Sequence, residues 1–304
     1  MNVLIVGAGA IGAFYGALLA KAGAGVSVTC RSDYDYVKRH GFLIDSDMLG
    51  SWSFIPRQVL RHSSDLQGTA DFVILCTKVL PELDRVALIR DAVTAQTAIV
   101  FIQNGIAIEQ EIQNAFPDHD IISGLAFICC NRVHPGHIHH LAYGRLTLGD
   151  VSGTLSEKTL QLSVAFNRAG IECIASENII TDRWQKCIWN APFNPLSVLS
   201  GGLPTLDILT TQEALVRHIM QDVFNIAKAS GHTLPNSIID DNIASTYAMQ
   251  PYKTSMLLDY ELGQTMEIEA IVGNALRAAL EVKVDCPYLA TVYALMKLRE
   301  LKLR

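Results

Sequence analysis

Val3-Leu4-Ile5-Val6-Gly7-Ala8-Gly9-Ala10-Ile11-Gly12 opens the chain: an apolar strand runs straight into GxGxxG, and an Ala- and Leu-rich stretch of helical character follows. That order of strand, glycines and helix turns a weak motif into a dinucleotide-binding turn. Gly7 permits the tight turn, Gly9 lets the backbone approach a pyrophosphate, and Gly12 lets the helix pack close to the strand. The helix N-terminus then offers unpaired N–H groups to the phosphates, so the backbone from Gly7 through Ala8, Gly9, Ala10 and Ile11 to Gly12 is the expected cofactor cradle. The competing reading is a glycine-rich turn that only lets a helix pack.

The end of the second strand, Val26-Ser27-Val28-Thr29-Cys30, decides which dinucleotide is bound. An acidic residue there would hydrogen-bond the ribose 2′-OH of NAD, but Arg31 occupies the place, followed by Ser32. A guanidinium with a neighbouring hydroxyl suits a 2′-phosphate, which an Asp would repel, and NADP is the expected cofactor. Asp33 is the alternative ribose ligand if the strand ends two or three residues later.

The 304 residues, half of them hydrophobic, suit a two-domain chain with two cores. With 24 basic against 30 acidic residues the net charge is −6, and there is no basic stripe of the sort nucleic acid needs. The basic end, Lys297 to Arg304, alternates Leu with Lys and Arg and reads as the frayed, solvated end of a helix. Residues 1 to 20 carry no charged side chain, but no positive segment precedes them, glycines interrupt them, and Lys21 closes them before the apolar run of about 20 that a membrane span needs. The seven cysteines, at 30, 76, 129, 130, 173, 187 and 286, show no CxxC spacing and point to reduced thiols in a cytoplasm.

Along the first half, short apolar runs alternate with helical patterns, the signature of a parallel sheet flanked by helices. Asp71 to Lys78 and Ala98 to Gly105 are β-branched runs ending in polar groups, and ligands bind at such carboxyl ends. Lys78, Gln103 and Asn104 are therefore expected to point toward one crevice. Ile121 to Arg132 and His137 to Gly149 read as two further strands, an antiparallel extension. From about residue 155 helical periodicity takes over, with a last short strand near Glu172 to Ala175. Asn178 to Asn190, Thr211 to Ser230, Ile238 to Tyr247 and Ser255 to Leu280 look helical. The expected architecture is an α/β, Rossmann-type dinucleotide-binding domain over residues 1–176 and a mostly α-helical substrate domain over residues 177–304. The apolar helices of that second domain could equally make a homodimer or bury their faces internally.

In Trp184-Gln185-Lys186-Cys187-Ile188-Trp189-Asn190, Lys186 and Asn190 stand four apart and share a helical face, which Asn194 extends if the helix continues. These side chains are too polar for a plain core helix and suggest a polar pocket, with a solvated face as the alternative. Pro192 and Pro195 each remove a helix hydrogen bond and are expected to kink or end the helix.

Over nearly its whole length the chain resembles the ketopantoate reductase family (2-dehydropantoate 2-reductases). The matching features are GAGAIG, Arg31 after the second strand, Cys-Thr-Lys78, Gln-Asn104-Gly, Arg183-Trp-Gln-Lys186 with Asn190 and Asn194-Pro195, and Ser255-Met-Leu followed twelve residues later by Glu267. The resemblance implies a two-domain enzyme that delivers hydride from NADPH to the ketone carbon of a 2-oxo acid bound between the domains, giving (R)-pantoate on the route to pantothenate and coenzyme A. It makes Lys186 the general acid and Glu267 the carboxylate beside substrate, cofactor and lysine. It makes Asn104, Asn190, Asn194 and Ser255 substrate-binding groups, and places Asn104 and Lys78 on the cofactor side. An ammonium preplaced where charge develops on the carbonyl oxygen would lower the barrier to hydride transfer.

Glu269 competes with Glu267, since only the spacing from Ser255 separates them, and Ser255 could be a plain helix N-cap after Pro251. Tyr252 stands where family members carry an Asn, and Pro192 is not expected between the two asparagines, so a different 2-oxo acid stays open as substrate. A non-catalytic NADP-binding sensor is the alternative from another class. His134, His137, His139 and His140 invite a metal reading, but no carboxylate or Cys completes a ligand set, and no metal is expected. Cys129-Cys130 reads as buried strand packing.

Overall fold

The computed structural model describes residues 1–249 and 253–303. Pro251, Tyr252 and Arg304, which entered the sequence reading, lie outside the described residues. Two compact units are formed: Met1–Lys78, Leu83–Gln103 and Glu109–Ile179 make the first, and Val79–Glu82, Asn104–Ile108 and Ile180–Arg304 the second. The expected division at 176/177 therefore differs in detail. It lies at 179/180, and two short loops of the first half belong to the second unit. A change of hydrophobic period cannot register such loops, because tertiary hydrogen bonds place them: Ile106 N–H donates to the Ala270 carbonyl at 3.0 Å and Val79 N–H to Glu267 Oε1 at 2.8 Å.

The first unit is built on a 10-stranded sheet. Its strands are β1 (Asn2–Val6), β2 (Gly25–Thr29), β3 (Phe42–Ser46), β4 (Gly50–Phe54), β5 (Val59–Leu60), β6 (Phe72–Leu75), β7 (Ala98–Ile102), β8 (Ile121–His134), β9 (His137–Asp150) and β10 (Cys173–Ala175). They lie in the order β4-β3-β9-β8-β7-β6-β1-β2-β5, with β10 beside β9. β5, β2, β1, β6, β7 and β8 run parallel, and β9 turns back antiparallel on β8. From Val3 to Val6 β1 is apolar because both its faces are covered there, as parallel strands require. Val3 and Ile5 join Phe14, Leu18 and Phe166 in one core, whereas Leu4 and Val6 join Val73, Ile99 and Ile112 in another. The helices of this unit are α1 (Ala10–Lys21), α2 (Tyr34–His40), α3 (Arg85–Ile89), α4 (Gln110–Ala115) and α5 (Glu157–Arg168). The hairpin of β3 and β4 and the two-residue β5 carry short, half-exposed patterns that the sequence reading passed over.

The second unit is helical: α6 (Ile179–Leu199, its first residue in the first unit), α7 (Thr205–Ala229), α8 (Ile238–Ala248), α9 (Ser255–Glu261), α10 (Asn274–Val282) and α11 (Pro287–Glu300). Their core gathers Trp184, Phe193, Val198, Met220, Val223, Ile271 and Leu289. Two expectations are corrected here. Helix α6 does not end at Pro192 or Pro195 but continues to Leu199; Ala191, Phe193 and Val198 are buried around them, and that packing outweighs the two missing N–H donors. The single helix expected over Ser255 to Leu280 is broken. Gly263 takes φ +64, a left-handed conformation that stops α9, and the chain resumes with a π turn over Glu269–Gly273 leading into α10. The basic end is also less solvated than expected, because Lys297 pairs with Glu269 at 3.1 Å and Glu300 at 2.7 Å. Among the described residues no helix is long and apolar enough to cross a membrane.

Candidate active site

In the first unit the glycine turn has the geometry a dinucleotide needs. Gly7 sits at φ +92, and a Cβ there would lie 2.6 Å from Thr77 Cγ2. Its N–H donates to Thr29 Oγ1 at 3.1 Å, and Ala8 N–H to the Thr29 carbonyl at 3.0 Å, which fixes the turn to the end of β2. A Cβ on Gly12 would come within 2.4 Å of the Gly7 carbonyl oxygen, so α1 packs as close as only glycine permits, whereas a Cβ on Gly9 would meet nothing within 4 Å. Gly9 is thus the open side of the turn. No side chain caps α1, and the N–H groups of Ala10, Ile11 and Gly12 are the ones a helix leaves without internal acceptors. These residues fit a pyrophosphate.

At the end of β2, Arg31 is exposed and Asp33 is only 4 % exposed. The Asp33 carboxylate accepts from Arg132 Nη1 at 2.6 Å, from Ser32 Oγ at 2.9 Å and from Gly136 N–H at 3.1 Å. Those bonds commit Asp33 to holding the β8–β9 ribbon. At the ends of β6 and β7, Lys78 is half-buried. Gln103, expected beside it in a crevice, turns inward instead: its amide nitrogen donates to the Thr77 carbonyl at 2.6 Å, and its oxygen accepts from buried Arg85 at 3.3 Å. A side-chain amide next to a buried guanidinium finds its partners there before it faces solvent.

The second unit brings together three of the candidate residues. Lys186 Nζ donates to Asn104 Oδ1 at 2.8 Å, Asn104 Nδ2 lies 3.4 Å from Glu267 Oε2, and Glu267 Oε1 accepts from Val79 N–H at 2.8 Å. Burial and, to a lesser extent, the Arg183 guanidinium bring the Lys186 ammonium down to about 8, and Glu267 opposes both. Arg183 is buried and donates to the Gly105 carbonyl at 3.1 Å, which seats the loop carrying Asn104. Asn274 does the same for Ile106, its amide donating to that carbonyl at 2.5 Å. Sequence reasoning missed Asn274 and the Val79 backbone donor; neither belongs to a pattern visible in one dimension.

Continuation of α6 sets Asn190 and Asn194 one and two turns beyond Lys186, both buried. Ser255 is exposed at the first position of α9. The cap of that helix is Thr254, whose Oγ1 accepts from Leu257 N–H at 3.2 Å, so the plain N-cap reading of Ser255 falls. Thr254 also meets Ser197 of α6 at 2.7 Å, tying the start of α9 to the helix that carries Lys186. Glu269 is engaged elsewhere. It accepts from Tyr293 at 2.7 Å and Arg277 at 3.0 Å and pairs with Lys297; burial would raise its carboxyl, but these partners hold it below the usual range. Of the two competing carboxylates, Glu267 is the one joined to Asn104 and Lys186.

The sequence model described as ketopantoate reductase PanE/ApbA matches residues 3–153, and its C-terminal companion matches residues 178–300. The chain belongs to the ketopantoate reductase family. A 2-dehydropantoate 2-reductase of Nostoc sp. is 36% identical over 299 residues, 96% of this chain and 93% of that protein. The crystal structure of 2-dehydropantoate 2-reductase from Methylococcus capsulatus is 57% identical, covers 100% of this chain and 98% of its own, and superposes with a TM-score of 0.95. That from Geobacter metallireducens GS-15 is 32% identical with a TM-score of 0.93, covering 98% of this chain and 100% of its own. As a member of this family the chain is a dinucleotide-dependent oxidoreductase acting on a small-molecule CH–OH/C=O group.

The remaining polar clusters have local roles in this ketopantoate reductase fold. His140 is buried with Nδ1 2.8 Å from Ser46 Oγ, and His139 Nε2 lies 3.1 Å from Asp47. Among the described residues no three His, Cys, Asp or Glu side chains gather as a metal site. Burial pushes the Cys130 thiol up to about 12, well away from a reactive thiolate.

Proposed function

We propose that this chain reduces the ketone of 2-dehydropantoate to the alcohol of (R)-pantoate with NADPH, and that Lys186 delivers the proton. The observation that carries the assignment of roles is the hydrogen-bonded series Lys186, Asn104, Glu267. When bound, the dinucleotide supplies hydride to the carbonyl carbon. As negative charge grows on the carbonyl oxygen, the Lys186 ammonium stabilises it more than it stabilises the neutral ketone, which is the condition for lowering a barrier. A lysine brought to about 8 is still mostly protonated at neutral pH, and it is a stronger acid than an ordinary one. Asn104 aims the ammonium through its oxygen, and Glu267 holds the amide in that orientation through the Nδ2 bond. Asn190, Asn194 and Ser255 are assigned to the substrate's carboxylate and hydroxyl.

The choice of NADPH is supported by the end of β2, where Arg31 is exposed while Asp33 is withdrawn from any ribose by Arg132 and Gly136. Lys78, at the end of β6, is assigned to the cofactor. None of the seven cysteines is in a disulfide among the described residues, which supports a reducing, cytoplasmic setting.

The test is a panel of 2-oxo acids assayed by loss of NADPH or NADH absorbance. The reading expects 2-dehydropantoate to have the highest kcat/KM and NADPH to be preferred. Faster turnover of another 2-oxo acid would overturn the substrate and keep the chemistry. Tight NADPH binding with no turnover of any member would instead favour a sensor.

A further inference from the structure

We infer that Arg132 is a second determinant of cofactor choice, acting beside Arg31 on the 2′-phosphate that distinguishes NADP(H) from NAD(H). The inference rests on the NADPH reading above and adds a residue that the sequence motifs do not point to. Arg132 lies on β8, a hundred positions from Ser32, and the β8–β9 ribbon carries it to the end of β2. There Nη1 donates to Ser32 Oγ at 2.9 Å and to Asp33 Oδ1 at 2.6 Å. The side chain is 43% exposed, and among the described residues its Nε and Nη2 donors make no hydrogen bond. Of the five N–H groups of a guanidinium, three therefore remain for an external acceptor, in the planar fork that suits a phosphate.

The same bonds change the role of Ser32. Its hydroxyl proton is directed at Asp33 Oδ1 at 2.9 Å, so the hydroxyl next to Arg31 is already used as a donor inside the protein. The Arg132 guanidinium is instead anchored to the two residues that follow Arg31 in the chain, Ser32 and Asp33. Arg132 also neutralises Asp33. Left bare, that carboxylate would repel a phosphate carrying nearly two negative charges. Extra donors and cancelled repulsion both favour the phosphorylated cofactor.

Titration calorimetry on the full chain with adenosine 2′,5′-bisphosphate and adenosine 5′-monophosphate isolates this group, because the two probes differ only in the 2′-phosphate. We expect wild type to bind the bisphosphate about tenfold or more tightly than the monophosphate. Arg132→Ala should weaken the bisphosphate about tenfold and leave the monophosphate within about twofold, and Arg31→Ala combined with it should bring the ratio near one. An equal loss for both probes would mean that Arg132 only holds the ribbon in place, and would overturn the inference. So would an unchanged ratio. If wild type prefers the bisphosphate and Arg31→Ala alone abolishes the preference, Arg132 has no part and the NADPH reading stands; if wild type shows no preference, both fail together. Should the alanine variant not fold, Arg132→Gln, which can still donate to Ser32 and Asp33, reads the same ratio.

Discussion

Replacing Glu267 by Gln should move the pH dependence of the reaction, because Glu267 opposes the burial and the Arg183 charge that depress Lys186. In wild type the acid is the ammonium, whose pKa has come down from 10.5 to about 8. Reduction should therefore be flat below that value and fall tenfold per unit above it. Asn104 bridges the two groups with contacts of 2.8 and 3.4 Å. Opposite charges on the order of 6 Å apart at an effective dielectric of about 20 attract by roughly 3 kcal/mol, and less where water screens the pair. A loss of roughly 1.4–2.8 kcal/mol corresponds to a drop of about 1–2 pH units. The inflection should then lie at about 6–7, and at pH 7.5 the protonated fraction should fall from about three-quarters to between about a quarter and a thirtieth.

The assay is kcat/KM for the 2-oxo acid from pH 5.5 to 9.5 at saturating dinucleotide. Lowering the pH to 6 should restore much of the variant's lost rate, which no purely structural defect would do. The substitution also replaces one acceptor by a donor between Val79 N–H and Asn104, a structural cost of about 1–3 kcal/mol that a parallel urea titration would register. A variant that is slower at every pH with its inflection unmoved would refute the electrostatic coupling. A wild-type profile without an inflection between about 7 and 9 would remove Lys186 as the acid.

Lys186→Ala should lower kcat by roughly 10²–10⁴-fold while dinucleotide affinity, measured by fluorescence titration, stays within about twofold. Gly9→Ala, whose Cβ would meet nothing within 4 Å, should keep the melting temperature yet weaken dinucleotide binding by more than about tenfold, because the open side of the turn is where phosphate would approach. Gly12→Ala should do the reverse of that separation: a Cβ 2.4 Å from the Gly7 carbonyl must displace backbone, so stability and binding fall together in calorimetry. Asp222→Ala should cost about 1–3 kcal/mol in urea unfolding, since its carboxylate accepts from the Tyr288 and Leu289 N–H groups at 3.0 and 2.9 Å at the start of α11.

How far the sequence could be read followed how local each determinant is. β1, β6 and β7 were legible because strands covered on both faces leave continuous apolar runs, and β8 and β9 because their length and the intervening turn announce a ribbon. The short β3 to β5 left no such run. Lys186 and Asn190 were placed on one face by spacing alone, but the passage of α6 through two prolines depends on the buried neighbours of Phe193, which spacing does not reveal. Gly263 was the visible signal for the break after α9, and the apolar residues on either side concealed it. Glu267 was reached through family resemblance rather than residue pattern. Gln103 was misplaced because a polar residue at a strand end looks the same whether it faces a ligand or a buried Arg85.

The arrangement around Lys186 also explains why a buried ammonium can persist there without being neutralised. Burial disfavours the charge, and Arg183 adds to that cost; but Arg183 cannot be dispensed with, since its bond to the Gly105 carbonyl seats the very loop that brings Asn104 to the lysine. Glu267 offsets part of the cost, and the Asn104 amide contacts both groups. A stronger pull from the carboxylate would raise the lysine's pKa and make it a poorer acid; removal of the carboxylate would let it deprotonate closer to neutral pH. The balance of burial, Arg183 and Glu267 leaves the ammonium charged near neutral pH and more acidic than an ordinary lysine. In the proposed reaction the ammonium meets a growing negative charge as the ketone oxygen turns into an alkoxide. The electrostatic attraction is therefore strongest when hydride has moved and the proton has not, which is the moment at which stabilisation raises the rate.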